Sequence, residues 1–219
     1  MKTILGTVPL LNRVTGKFED ATLFRGAGQE NLAHFETRWR PMLEMRRLEA
    51  EQQGLSLHDI NAEDVHWDWG KKVLAAEEDP LILELFVLEC GYSTQALMLV
   101  RKGGLKCLCR HPEDLTNQLI YVDFLATAPW NRPRLVAQPA YSGCGRILLA
   151  AAVSLSFDEE MKGRIGLHAL PGAETYYRDK IRMTDLGPDE HYQNLRYFEV
   201  STSAAMQMFA TPGAGGEDA

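Results

Sequence analysis

Long apolar runs are missing from this 219-residue chain, and no stretch reaches membrane-spanning length without a charge. The start, Met1-Lys2-Thr3-Ile4-Leu5-Gly6, has a charge but no sustained apolar segment of the secretory kind, so the expectation is a cytoplasmic protein with no membrane partner. A surplus of positive charge is missing too: 23 Lys and Arg stand against 30 Asp and Glu, a formal charge of -7. The field that gives sequence-independent affinity for nucleic acid is therefore absent, and a cationic or amine-bearing partner suits the balance better. Arg38, Arg40, Arg46 and Arg47 alternate with Glu36, Glu44, Glu49 and Glu51 and read as solvated helix faces. Cysteine is scarce. Cys90, Cys107, Cys109 and Cys144 do not form a disulfide framework, and the C-x-C of Cys107 and Cys109 has no second pair at zinc-site spacing, so reduced thiols and no metal are expected.

No Pro/Gly/Ser-rich linker interrupts the chain before its last residues, and 45% hydrophobic content supplies a sizeable core. One domain over residues 1–211 is expected, with a flexible tail at 212–219. β-formers at 4–14 and 18–24 flank the turn Thr15-Gly16-Lys17 and predict a hairpin. Leu32, Phe35, Trp39, Leu43 and Leu48 predict helix over 29–53, interrupted at Pro41, and Val65, Trp69 and Val73 predict another over 62–76. Trp67-Asp68-Trp69 at this spacing reads as packing rather than a ligand box. Strands are expected at 81–90, 94–100, 119–126, 164–170 and 195–200, with an apolar, buried helix at 147–156 and a capped helix from 201. An exposed strand edge near the C-terminus leaves a homodimer open.

The most telling run is Gln138-Pro139-Ala140-Tyr141-Ser142-Gly143-Cys144-Gly145-Arg146, between a strand-like and a helix-like segment. Its glycine pair lets the backbone turn tightly and brings successive N–H groups and a helix start close to an anion such as a diphosphate. Neither G-x-G-x-x-G nor G-x-x-x-x-G-K-[ST] is present, and no third glycine follows, so a nucleotide site in a doubly wound sheet is set aside. Strand, loop, helix and strand form a βαβ unit.

Leu125-Ala126-Thr127-Ala128, then Gly143-Cys144-Gly145-Arg146-Ile147-Leu148-Leu149, then Ala173-Glu174-Thr175-Tyr176-Tyr177-Arg178-Asp179-Lys180 together resemble the GNAT superfamily of N-acetyltransferases, over roughly residues 119–200. That family's loop follows Q/R-x-x-G-x-G/A, and its later helix A-x-x-x-Y ahead of a Gly-Phe pair. Here the Gln/Arg position falls on Ala140, with Gln138 two residues earlier. The Gly-Phe pair would fall near Ile181-Arg182, and an asparagine often found before the later helix falls near Leu170. The resemblance implies an α+β (α/β) fold with a mixed, mostly antiparallel central sheet flanked by helices. Its βαβ unit would carry the coenzyme A pyrophosphate loop.

It further implies an acetyl-CoA-dependent N-acetyltransferase acting on an amine of a small molecule or protein, with the N-terminal hairpin and helices on the acceptor side. A catalytically inactive acyl-CoA-binding or protein-interaction module is the alternative. Leu125, Ala126 and Thr127 would align the pantetheine arm, while Gln138 and the loop Tyr141, Ser142, Gly143, Cys144, Gly145 and Arg146 would hold the diphosphate. Tyr177 would be the acid that protonates the leaving thiolate. For the base, Asp123 is the first choice, as an anomalous carboxylate in a strand otherwise apolar on both faces. The competing reading is a buried ion pair with a nearby Arg or Lys. Glu84, Glu89 and His168 are further candidates.

Overall fold

The computed structural model describes residues 2–210; the expected tail, 212–219, lies outside the described residues. Five strands, β1 (Thr3–Asn12), β2 (Lys17–Arg25), β3 (Leu83–Cys90), β4 (Ser93–Arg101) and β5 (Ile120–Thr127), pair antiparallel in sequence order. A two-residue strand β6 (Tyr141–Ser142) adds to the outer edge of β1, and β7 (Ile165–Ala169) joins β5 in parallel. With β8 (Thr184–Asp189) and β9 (Leu195–Val200) the sheet has nine strands in the order β6-β1-β2-β3-β4-β5-β7-β9-β8. The mixed, mostly antiparallel sheet is thus present. β3 and β4 are buried along nearly their whole length, as their continuous apolar sequence requires of central strands.

Helix α4 (Cys144–Asp158) crosses from β5 to β7 over one face. It is apolar nearly all round, and its Leu148, Leu149 and Leu155 lie in the main core with Phe86, Met98, Val122 and Phe198. Each such buried leucine stabilises the fold by about 1.5–3 kcal/mol. The opposite face is covered by α1 (Gln29–His34), α2 (Arg40–Gln52) and α3 (Trp69–Glu78); Phe35 and Trp39 from the turn between α1 and α2, and Trp69 of α3, are buried with Leu85, Leu97 and Leu99. Helix α5 (Thr202–Ala210) begins after Ser201, whose Oγ accepts the Ala204 N–H at 3.3 Å.

Three features differ from, or add to, the expectations. The interruption at Pro41 is a π turn, Phe35–Trp39, in which the Arg40 N–H reaches Phe35 O; the wider turn absorbs the N–H that proline lacks. The second helix starts at Trp69 rather than 62, because Asp68 caps it by accepting the Lys71 N–H at 3.0 Å. Residues 62–68 are turns instead, with Val65 in a small separate cluster beside Leu43 and Leu135. β8 was not expected at all: Thr-Asp-Leu-Gly-Pro-Asp has poor strand propensity, and the strand survives at the sheet edge, where Pro188 and a bulge are tolerated.

Candidate active site

β5 and β7 stay together for two residue pairs, Ile120 with Ile165 and Tyr121 with Gly166. Beyond them β5 follows β4 as far as Thr127 opposite Ala96, while β7 follows β9 as far as Ala169 opposite Arg196, so the parallel strands part. Asp123 is the extra residue of a bulge in β5, between Val122 opposite Val100 and Phe124 opposite Leu99. Past this bulge the Ala128 N–H donates to Gln95 O, in register with Leu97 opposite Ala126. Antiparallel alternation then turns the main-chain groups of Leu125 and Thr127 away from β4, toward the gap. The Thr127 carbonyl accepts from Arg132 Nε at 2.9 Å and Nη2 at 2.7 Å. Leu125 N–H and C=O and the Thr127 N–H are left to edge the gap, and the Ala126 main chain is turned to β4.

At the far end of β5 the glycine loop meets α4. Gly143 has φ 95 and ψ −5, a left-handed conformation that disfavours any side chain, and the helix begins at Cys144. The N–H groups of Cys144, Gly145 and Arg146 lie in the first turn, where no carbonyl of the helix can accept them, at the positive end of the helix dipole. Space at Gly145 is tight: a Cβ there would lie 3.0 Å from the Tyr176 hydroxyl and 3.7 Å from Leu125 Cδ2. The exposed Arg146 guanidinium reaches Lys180 O at 3.0 Å, and burial pushes the Cys144 thiol up to about 12, so it serves the core rather than chemistry. The Tyr141 N–H, expected among the anion donors, is instead taken by Asn131 Oδ1 at 3.0 Å. Its hydroxyl donates to Glu19 at 2.9 Å. Ser142 is tied into β6, and Gln138 is exposed on the approach to the loop.

The chain after β7 forms a short turn, Pro171–Ala173, and then a π turn, Tyr176–Ile181. Tyr177, 7% exposed, packs in the main core against Phe198, and burial raises the pKa of its phenol. The wider turn carries one residue more than an α-helical one. Past it Arg182 is left-handed at φ 63 and Met183 is 4% exposed, so no Gly-Phe pair stands at Ile181-Arg182 or beside it.

Of the carboxylates, Asp123 is 5% exposed at its side chain and clasped by Arg101 Nε at 2.9 Å and Lys106 Nζ at 3.0 Å. The buried ion pair weighed against a free base is what the structure contains. Glu84 pairs with Arg25 and Lys102 at the end of the sheet remote from the loop, and Glu89 with Lys2. His168 lies on β7 with Tyr121 and Asp189 as partners. A strap invisible in sequence crosses the ends of the parted strands. Arg132 Nη1 and Nη2 bind Asp64 at 2.6 and 2.7 Å, and Nη1 also binds Asn61 O at 3.1 Å, while Glu63 Oε1 accepts the Gly172 N–H at 3.0 Å. Among the described residues no group of three or more His, Cys, Asp or Glu could hold a metal ion, and no helix is long and apolar enough to cross a membrane.

No family model matches the sequence, and no curated protein matches it. Solved structures do. The PaiA N-acetyltransferase of Thermoplasma acidophilum, in complex with coenzyme A, aligns at 10% identity over 83% of this chain and 98% of its own, with a TM-score of 0.50. Mycobacterium smegmatis RimJ, in complex with CoA-disulfide, aligns at 12% identity over 93% of each chain, TM-score 0.47. A Desulfovibrio desulfuricans protein assigned to the GNAT family of acetyltransferases aligns at 10% identity over 83% and 99%, TM-score 0.49. At these identities the likeness is one of fold, carried by the first of the three: the chain has the fold of the GNAT acetyltransferases.

Proposed function

We propose that this protein is an acetyl-CoA-dependent N-acetyltransferase that moves the acetyl group directly to an amine in a ternary complex. The observation that carries this reading is the parting of β5 and β7 after two residue pairs, with a glycine-started helix at the end of β5. The residues fit the co-substrate. N–H groups of Cys144, Gly145 and Arg146, with the Arg146 guanidinium, suit a diphosphate. The Leu125 and Thr127 edge suits an amide-bearing arm laid alongside it as a further strand, and the Leu125 N–H suits the thioester carbonyl, whose oxygen gains charge as the amine attacks.

As the N–C bond forms and the C–S bond breaks, the thiolate takes a proton from Tyr177. Burial keeps that phenol protonated, which fits a donor and not a base. The acceptor amine would enter from the α1–α3 side. Calorimetry with acetyl-CoA tests the reading directly, and the absence of binding sinks it. The second reading, an inactive acyl-CoA-binding or interaction module, is favoured by Ala140 standing where a long polar side chain would reinforce the loop. Coenzyme A binding without turnover on any amine would select it.

A further inference from the structure

On the face opposite α4, one side-chain hydrogen bond closes the base of the parted strands. Ile120 and Val122 of β5 and Ile165, Leu167 and Ala169 of β7 belong to the core on the α4 face, so Tyr121 and His168 project from the other. Tyr121 belongs to the last pair before the strands part, and its hydroxyl lies 2.6 Å from His168 Nδ1. His168 Nε2 lies 3.0 Å from Asp189 Oδ2, which also holds Arg110 Nη1 at 2.5 Å. The chain is buried: Tyr121 is 4% exposed, the His168 side chain 4% and the Asp189 side chain 8%.

Burial pushes the Asp189 pKa up, but hydrogen bonds from Arg110, His168 and the His191 N–H outweigh it and hold this carboxyl at about 2. Asp189 is then an acceptor only, which places the histidine hydrogen on Nε2 and leaves the Nδ1 lone pair to accept the Tyr121 O–H. Burial lowers the His168 pKa and keeps the ring neutral. The charged groups around it are Asp189, Arg110 and Lys106, the last above the Tyr121 and Tyr192 rings at 5.0 and 5.2 Å and paired with Asp123. Tyr192 stacks on His168 at 4.1 Å, and Tyr197 leans against it at 4.7 Å.

An arm pinned at Cys144–Arg146 and running along Thr127 to Leu125 points down the gap toward Tyr121. We propose that Tyr121, His168 and Asp189 form the proton acceptor of the transfer, Tyr121 as the catalytic residue and the other two acting through it. The inference rests on the acetyltransferase reading. As the amine nitrogen bonds to the acetyl carbon, its proton passes to the Tyr121 oxygen while the Tyr121 hydrogen passes to His168 Nδ1. Tyr121 stays a neutral phenol, and an imidazolium faces the Asp189 carboxylate until solvent takes the proton after product leaves.

The test uses the full chain with Tyr121→Phe, His168→Gln and Asp189→Asn, acetyl-CoA calorimetry, and turnover on a panel from spermidine to peptides with a free N-terminus. Nitrogen NMR of the His168 ring is read alongside. Y121F and H168Q are expected to bind acetyl-CoA within about twofold of wild type and to lose roughly 100-fold or more in kcat, the scale of general-base assistance. H168Q also loses the acid limb of the pH profile, and D189N moves it. The ring should be neutral with hydrogen on Nε2 at pH 7. A wild-type pH profile in H168Q, a protonated ring or an Nδ1–H tautomer overturns the relay, as does wild type that binds acetyl-CoA but acetylates no panel amine. Failure to bind acetyl-CoA overturns the underlying reading instead, and the NMR result stands apart from both.

Discussion

Replacing Arg132 by methionine keeps most of the side chain's volume and removes the one cation that joins the strap to the end of β5. The guanidinium side chain is 7% exposed and the Asp64 carboxylate 9%, and their bidentate contact is supplemented by bonds to Thr127 O and Asn61 O. Removing one partner strands a buried charge, which costs about 3–5 kcal/mol. The Thr127 carbonyl borders the gap, where water replaces the lost donor, so it adds little. For a chain of this size each kcal/mol moves the melting midpoint by about 2–4 °C, so R132M is expected to melt roughly 6–20 °C lower. Removing both charges in R132M/D64L leaves no orphan and should recover at least about 2 kcal/mol. Urea unfolding followed by far-UV circular dichroism reads both, with the slope unchanged. An R132M variant within about 1 kcal/mol of wild type, or a double variant as unstable as the sum of the single losses, refutes the account.

Gly143→Ala forces a side chain into a left-handed conformation and should destabilise the protein by about 1–2 kcal/mol. It should weaken acetyl-CoA binding as well; unchanged melting and affinity would show that φ 95 is not needed there. Tyr177→Phe should lower kcat by roughly 100-fold or more at unchanged melting temperature. Tyr176→Phe, whose hydroxyl lies over Gly145, should alter acetyl-CoA affinity instead, and reversal of the two phenotypes would move the acid to Tyr176. Asp185 is held at about 2 because hydrogen bonds from Arg196, Arg178 and the Gly187 N–H outweigh the upward push of burial. Its pKa is depressed on folding, so its contribution is complete above the ordinary carboxylate range near 4 and is withdrawn as pH falls toward 2. Urea midpoints measured between pH 5 and 2 should therefore fall less steeply in Asp185→Asn than in wild type, and parallel curves would contradict the assignment.

What was legible in the sequence was local. The continuous apolar runs of β3, β4 and β5, the all-round apolar α4 and the Gly143/Gly145 pair declare themselves within ten or fifteen residues. Asp123 declared itself as an anomaly, but its partners Arg101 and Lys106 lie 22 and 17 residues away and leave no local pattern. Arg132 with Asp64, 68 residues apart, and His168 with Tyr121, 47 apart, are likewise products of topology. The π turns escaped because they arise where tertiary packing inserts a residue into a helical pattern. One of them, Tyr176–Ile181, lies in the segment that follows β7, where sequence spacing gives no sign of the wider turn.

The short pairing of β6 with β1 has a thermodynamic consequence. Leu11 and Asn12 pair with Ser142 and Tyr141, the Arg13 N–H reaches Ala140 O, and Glu19 of the same hairpin accepts the Tyr141 hydroxyl. The segment leading into Gly143 thus borrows its stiffness from the β1–β2 hairpin, which β3 and β4 separate from β5 in the sheet. Ligand affinity at the loop includes the entropy of ordering it, and that entropy has already been spent in folding the hairpin. Fraying of the hairpin would reappear as weaker anion binding, and amide hydrogen exchange at Arg13 and Ser142 should report the opening of β1 and β2.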